Sequence, residues 1–289
     1  MPMCAYRIAY DGSGYRGFQR QPQPDVPTVE DDLFDALRSH GVLEPGADKP
    51  TGYAAAGRTD AGVSALAQTV AFEAPDWLAP RAFNGELPAD VRAWAVADAP
   101  ADFHATHHAS RREYAYHLYA PPARRSAASA AETGSRTATR VADDRFRAAC
   151  DALSGSHDFH NLTPDDRNTE RSPTLEATRD DDYLVVTVTA DGFARELVRR
   201  LVSLARAVGA GERSLADLER ALAPEPLPGR EGIAPAPPEP LVLAGVDYPD
   251  LEFAVDETAA ASARAVFDAR RIERRTGARV AGALGDGLR

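Results

Sequence analysis

The chain has 289 residues, 44% of them hydrophobic, which is enough for one large or two modest domains with a substantial core. No apolar run approaches the roughly 20 residues of a membrane-spanning helix, no basic-then-apolar signal opens the chain, and Cys4 and Cys150 lie far apart without metal-ligand spacing, as expected of buried thiols in a reducing cytoplasm. The net charge is −11 and Lys49 is the only lysine, which argues against a globally basic nucleic-acid surface and suggests adaptation to high internal salt, where self-repulsion is screened.

In chain order, Tyr6, Ile8 and Tyr10 alternate through Ala5 to Tyr10 and predict a strand. Gly12-Ser13-Gly14-Tyr15-Arg16-Gly17 then reads G-x-G-x-x-G. A dinucleotide site needs a helix opening within those glycines, so that its N-terminus meets the pyrophosphate. Here Pro22, Pro24 and Pro27 intervene and the helix starts only at Thr28, so that reading is rejected. Thr28 reads as an N-cap, with Asp31 three residues on and Val29, Leu33, Ala36 and Leu37 forming an apolar stripe to about Ser39.

Tyr53 to Ala56 predicts a short strand, and Leu66, Gln68, Val70 and Phe72 alternate with Ala67, Thr69 and Ala71 along a longer one. Between them lies the hexad Gly57-Arg58-Thr59-Asp60-Ala61-Gly62, a tight connection with glycines for unusual backbone angles. Arg58 and Asp60 are two apart, so an extended backbone points both the same way. A positioned, ionised carboxylate serves as nucleophile or general base; the same spacing also suits a surface turn with a weak ion pair.

Farther on, Ala82 to Glu86 predicts a short helical piece and Val91 to Ala97 a strand. His104, His107 and His108 crowd one stretch without an acidic or thiol partner, and His157 and His160 another, so neither reads as a metal site. In the strand Arg111 to Tyr119, Tyr114, Tyr116 and Leu118 share a face, with Tyr116 expected in the core. Residues 121 to 140, rich in Ala, Ser, Thr and Arg without apolar period, are expected to be a surface insertion. Asp143 or Asp144 is expected to cap a helix with Phe146, Ala149, Cys150 and Leu153 inward, and Tyr183 to Thr189 predicts a strand.

Phe193 to Val208 reads as a helix with Phe193, Leu197, Leu201, Leu204 and Val208 inward and Arg195, Arg199 and Arg206 within about 40° of one another. Ser214 caps a short helix carrying Leu215, Leu218 and Leu222, Pro224 to Pro240 is loop, and Leu241 to Tyr248 is a final strand. Asp256 to Arg279 reads as a helical extension, acidic and then arginine-rich, with no functional account from sequence.

GRTDAGV followed by an alternating strand resembles the signature of the tRNA pseudouridine synthase A family. The opening YDGSGYRGFQRQ, the step Phe83-Asn84-Gly85-Glu86-Leu87-Pro88, Phe103-His104-Ala105, Arg112-Glu113-Tyr114-Ala115-Tyr116, Gly155-Ser156-His157-Asp158-Phe159, Val198-Arg199 and the last strand are similar to further family motifs in the expected order. The resemblance covers roughly residues 5 to 248 and implies an α+β, two-lobed fold: a mostly antiparallel mixed sheet flanked by helices, with a central catalytic cleft. Residues 1–105 would be the N-terminal lobe, 106–249 the C-terminal lobe and 250–289 an extension. It implies conversion of uridine to pseudouridine in the tRNA anticodon stem-loop by a cytoplasmic homodimer, with no cofactor and no metal. Asp60 would be the nucleophile, Arg199 its ion-pair partner, and Tyr114, Arg58 and Leu241 would bind the substrate. Two departures stand out: Ser64 where the family has His, and Pro240 where it has Gly. The alternatives are a non-catalytic tRNA-binding protein of the same fold and a small-molecule enzyme using the Arg-Asp pair.

Overall fold

The computed structural model describes residues 1–22, 26–122 and 140–288. Its elements begin with β1 (Met3–Tyr10), α1 (Val29–Ser39), β2 (Ala54–Ala55), β3 (Ser64–Glu73), α2 (Pro80–Phe83) and β4 (Val91–Asp98). There follow β5 (Arg111–Tyr119), α3 (Asp143–Leu153), β6 (His157–Asp158), β7 (Glu170–Arg171), β8 (Thr174–Asp180) and β9 (Tyr183–Ala190). The chain closes with α4 (Leu197–Gly209), α5 (Leu215–Ala221), β10 (Leu241–Asp247), β11 (Ala254–Val255) and α6 (Glu257–Gly287). Two compact units result: Met1–Ala109 with Tyr248–Arg289, and Ser110–Asp247. The strand pairings within each are antiparallel and helices flank the strands of each, so the class is α+β.

In the first unit β1 is central, with β3 on one side and β4 on the other; β2 adds to β3 and β11 to β4. A strand covered on both faces gains nothing from alternation. Accordingly Cys4, Ala5 and Ala9 are buried along with Tyr6, Ile8 and Tyr10, and β3 is buried without a break from Ala67 to Phe72. The Tyr6 ring stacks on Phe72 at 5.1 Å, and its hydroxyl donates to the Leu78 carbonyl at 2.9 Å. Thr28 caps α1 as expected, its hydroxyl accepting from the Asp31 amide. The short helix begins at Pro80 rather than Ala82, because proline suits the first helical position and lacks only an amide that would be unpaired there. His104 and His108 turn a ring nitrogen to backbone amides of their own loop at 3.2 and 2.9 Å.

In the second unit the order is β10-β5-β9-β8. On β9 the residues Leu184, Val186, Val188 and Ala190 alternate inward, while α3 packs on β8 and α4 through Phe146, Ala149, Cys150 and Leu153. Burial pushes the Cys150 thiol up to about 12. Two expectations are corrected. Neither Asp143 nor Asp144 caps α3: the cap position is Ala142, and the Asp143 carboxylate is held by the Arg179 guanidinium of β8. The helix expected from Phe193 starts at Leu197, because Glu196 just before it adopts a left-handed φ of 59°. In α5 Leu218 is buried, while Leu215 is 44% exposed. Residues 123 to 139 of the expected insertion lie outside the described residues.

Candidate active site

The hexad joins β2 to β3, and Gly62, at φ 81°, takes a backbone conformation that a side chain would strain. Thr59 is buried, whereas Asp60 is half-buried and Arg58 exposed. The alternation of an extended backbone thus holds: one side chain goes in and its two neighbours go out. Thr59 Oγ1 meets the Tyr10 hydroxyl at 2.7 Å. The Thr59 carbonyl accepts from the Phe18 amide at 3.1 Å, and the Asp60 carbonyl from Val63 at 3.1 Å.

The segment from Asp11 to Phe18 is the clamp on this loop. Gly62 donates to the Tyr15 carbonyl at 3.2 Å, and the Gly12 amide donates to Ser64 Oγ at 3.0 Å. Ser64, where the family signature has histidine, therefore ties the two loops together. A Cβ on Gly12 would sit 2.0 Å from the Val63 carbonyl oxygen, and one on Gly17, at φ 109°, 3.1 Å from that of Thr59. These glycines permit close approach of backbone to backbone. The first amides of α1, Val29 and Glu30, donate to the Gly17 and Phe18 carbonyls at 3.3 and 2.9 Å. A helix N-terminus so fixes the clamp that fixes the hexad.

Gln68 supplies the other anchor, one that the spacing of the motif did not single out. Its side chain is fully buried on β3, its amide donates to the Gly57 carbonyl at 2.9 Å, and its oxygen accepts from Thr69 N at 3.1 Å. The signal in the sequence was a glutamine inside an otherwise apolar strand, where burial is costly unless every polar atom is bonded.

The remaining candidates belong to the second unit. On β5, Tyr114 stands opposite Leu243 of β10 and Val188 of β9, and its half-buried ring meets Phe193 edge to face at 5.2 Å. Leu241, buried, stands opposite Tyr116. Tyr116 is in the core as expected, and its hydroxyl donates to the Pro237 carbonyl at 3.1 Å. Burial pushes its pKa up to about 12, against the opposing pull of the Arg199 charge. Arg199, in the first turn of α4, donates through Nε to the Ala236 carbonyl at 2.7 Å, and its own carbonyl accepts from the Ala236 amide at 3.1 Å. The Ala236–Leu241 segment therefore links Arg199 to Tyr116 and Leu241. Of the expected arginine stripe, Arg195 lies outside the helix and pairs with Asp165, while Arg206, two turns from Arg199 on the same side of α4, pairs with Glu212 at 2.7 Å.

Arg58 and Asp60 thus share one loop of the first unit, while Tyr114, Arg199 and Leu241 belong to the second, where Arg199 and Leu241 meet through the Ala236–Leu241 segment. Among the described residues no group of His, Cys, Asp and Glu is disposed to hold a metal, and no helix is long and apolar enough to cross a membrane.

A family model described as tRNA pseudouridine synthase matches residues 149–249. The chain is 57% identical over 286 residues to tRNA pseudouridine synthase A of Haloarcula marismortui, covering 99% of this chain and 100% of that one. It is 60% identical over 283 residues to the Natronomonas pharaonis protein of that name, covering 98% of each. For that of Methanocella arvoryzae the identity is 38% over 262 residues, 88% of each.

Proposed function

The chain belongs to the tRNA pseudouridine synthase A family and is an isomerase of that class, and we propose that it converts uridine to pseudouridine in the tRNA anticodon stem-loop with Asp60 as nucleophile. The observation that carries this reading is the hexad itself. Its backbone is held by the clamp and by Gln68, Thr59 turns inward, and Asp60 is turned away from the core beside an exposed arginine. A carboxylate held in one place before the substrate arrives loses little entropy on reaching the transition state.

The reaction breaks the glycosidic C–N bond, rotates the freed uracil and forms a C–C bond to the same ribose carbon. A carbon-bound proton leaves, and the nitrogen that lost the sugar gains one. Atoms and electrons balance without a cofactor. Asp60 attacks either the ribose or the ring; both routes end in its release. Extrusion of the target nucleotide leaves a gap in the stack that Arg58 fills. By resemblance, Tyr114 stacks on the flipped uracil, Leu241 closes an apolar pocket and Arg199 is the ion-pair partner that keeps Asp60 oriented. By resemblance the enzyme works as a homodimer in the cytoplasm, and light scattering would test the dimer.

Pseudouridine mapping on an unmodified tRNA transcript tests the assignment. Wild type should place pseudouridine in the anticodon arm. Asp60→Ala should form none while its tRNA affinity stays within a few-fold, and Arg58→Ala should weaken both binding and turnover. Undiminished product from folded Asp60→Ala would remove Asp60 from the chemistry.

A further inference from the structure

The final helix, α6, has 31 residues but buries only Ala259 and Ala263. At about 100° per residue, Ala259, Ala263, Phe267, Arg270 and Arg274 fall on one face. That face is seated: Arg270 grips both oxygens of Asp90 at 2.9 and 3.0 Å, while Arg274 bonds Asp11 and, at 3.1 Å, Ser13 Oγ. Asp11 and Ser13 open the segment clamped on the hexad, so the helix runs beside the support of the reactive loop.

The other side of α6 is a concentration of charge. From Arg264 to Arg279 there are six arginines against only Asp268 and Glu273, in a chain whose net charge is −11. Arg264, Arg271, Arg275 and Arg279 fall within about 80° of one another, away from the seated face, and Arg271 to Arg279 span about 12 Å. Arg275 and Arg279 are exposed with no ion-pair partner among the described residues; Arg271, 58% exposed, meets only Asp268. Like charges four apart on a helix repel. In a protein this poor in cations, such a stripe costs stability that a bound polyanion would return. Arg16 and Arg58, exposed on the clamp and the hexad, add cations with no ion-pair partner among the described residues to the same unit.

We propose that the Arg271–Arg275–Arg279 stripe of α6 is a phosphate-binding arm that holds the tRNA backbone while Asp60 engages the target uridine. The inference rests on tRNA being the substrate. Charge complementarity selects the occupant: the guanidinium fork binds phosphate in bidentate fashion, through hydrogen bonds as well as charge.

The test uses the full chain and a tRNA transcript, comparing wild type with Arg275→Gln/Arg279→Gln by anisotropy across a KCl series and by steady-state kinetics. Removing two phosphate contacts should lower affinity about tenfold at the low-salt end and flatten the slope of log K against log salt by roughly 1.5 to 2. The loss should fall on KM rather than kcat, leave the thermal midpoint of the free protein undiminished or slightly raised as the repulsion is relieved, and be partly restored by Arg275→Lys/Arg279→Lys. If both proteins form pseudouridine with equal affinity and equal slope, this inference fails alone. If folded wild type makes no pseudouridine and does not bind tRNA, the substrate reading fails and takes the inference with it.

Discussion

Gln68, Gly12 and Gly17 perform no chemistry, yet they hold the backbone that carries Asp60. Replacing Gln68 by Leu keeps the volume and deletes the bond to the Gly57 carbonyl. Stranding that carbonyl should cost about 1–3 kcal/mol in denaturant unfolding, and kcat should fall more than tRNA affinity. The glycines allow a contrast within one segment. Gly12→Ala drives a methyl to 2.0 Å from backbone that cannot yield, whereas the same methyl on Gly14 meets nothing within 4 Å. Gly12→Ala should therefore lose pseudouridine formation and lower the unfolding midpoint, while Gly14→Ala tracks wild type in both. Equal behaviour of the two variants would show that the clamp does not set the loop.

Asp143 and Arg179 join the first turn of α3 to β8. The hydrogen bond from Arg179 holds the Asp143 carboxyl below the usual carboxylate range. A group whose folded pKa lies below its unfolded value adds stability above the unfolded value and loses it as pH falls. Wild type should accordingly lose stability on acidification below about pH 4 to 5, and Asp143→Asn should start less stable and show a shallower acid limb in urea titrations. Such a bond explains why the capping role expected of this aspartate was not taken up: the carboxylate found a stronger, charged partner across the unit. The start of α1 was legible because Thr28 and Asp31 act locally. That of α4 was not, because nothing in the side chain of Glu196 announces a left-handed backbone.

Across the whole molecule, a net charge of −11 with a single lysine makes self-repulsion a global term. Transfer from molar to millimolar KCl lengthens the screening distance from about 3 Å to 30 Å or more. Circular dichroism should show a sharp loss of helix on that dilution if the composition is an adaptation to salt, and no change if it is not. The sequence by itself determined what acts within a few residues: the hexad and its flanking strands, the outward placement of Arg58 and Asp60, the cap of α1, and the core position of Tyr116. Motif order carried the family as well, since each motif is a local pattern. Tertiary structure alone decided that β1 and β3 are covered on both faces, that Gln68 and the Asp11–Phe18 segment brace the hexad, that Arg195 leaves the arginine stripe, and that α6 returns to the first unit. Those outcomes depend on which backbone groups and charges meet across long stretches of chain, and no periodicity within a single segment encodes such a meeting.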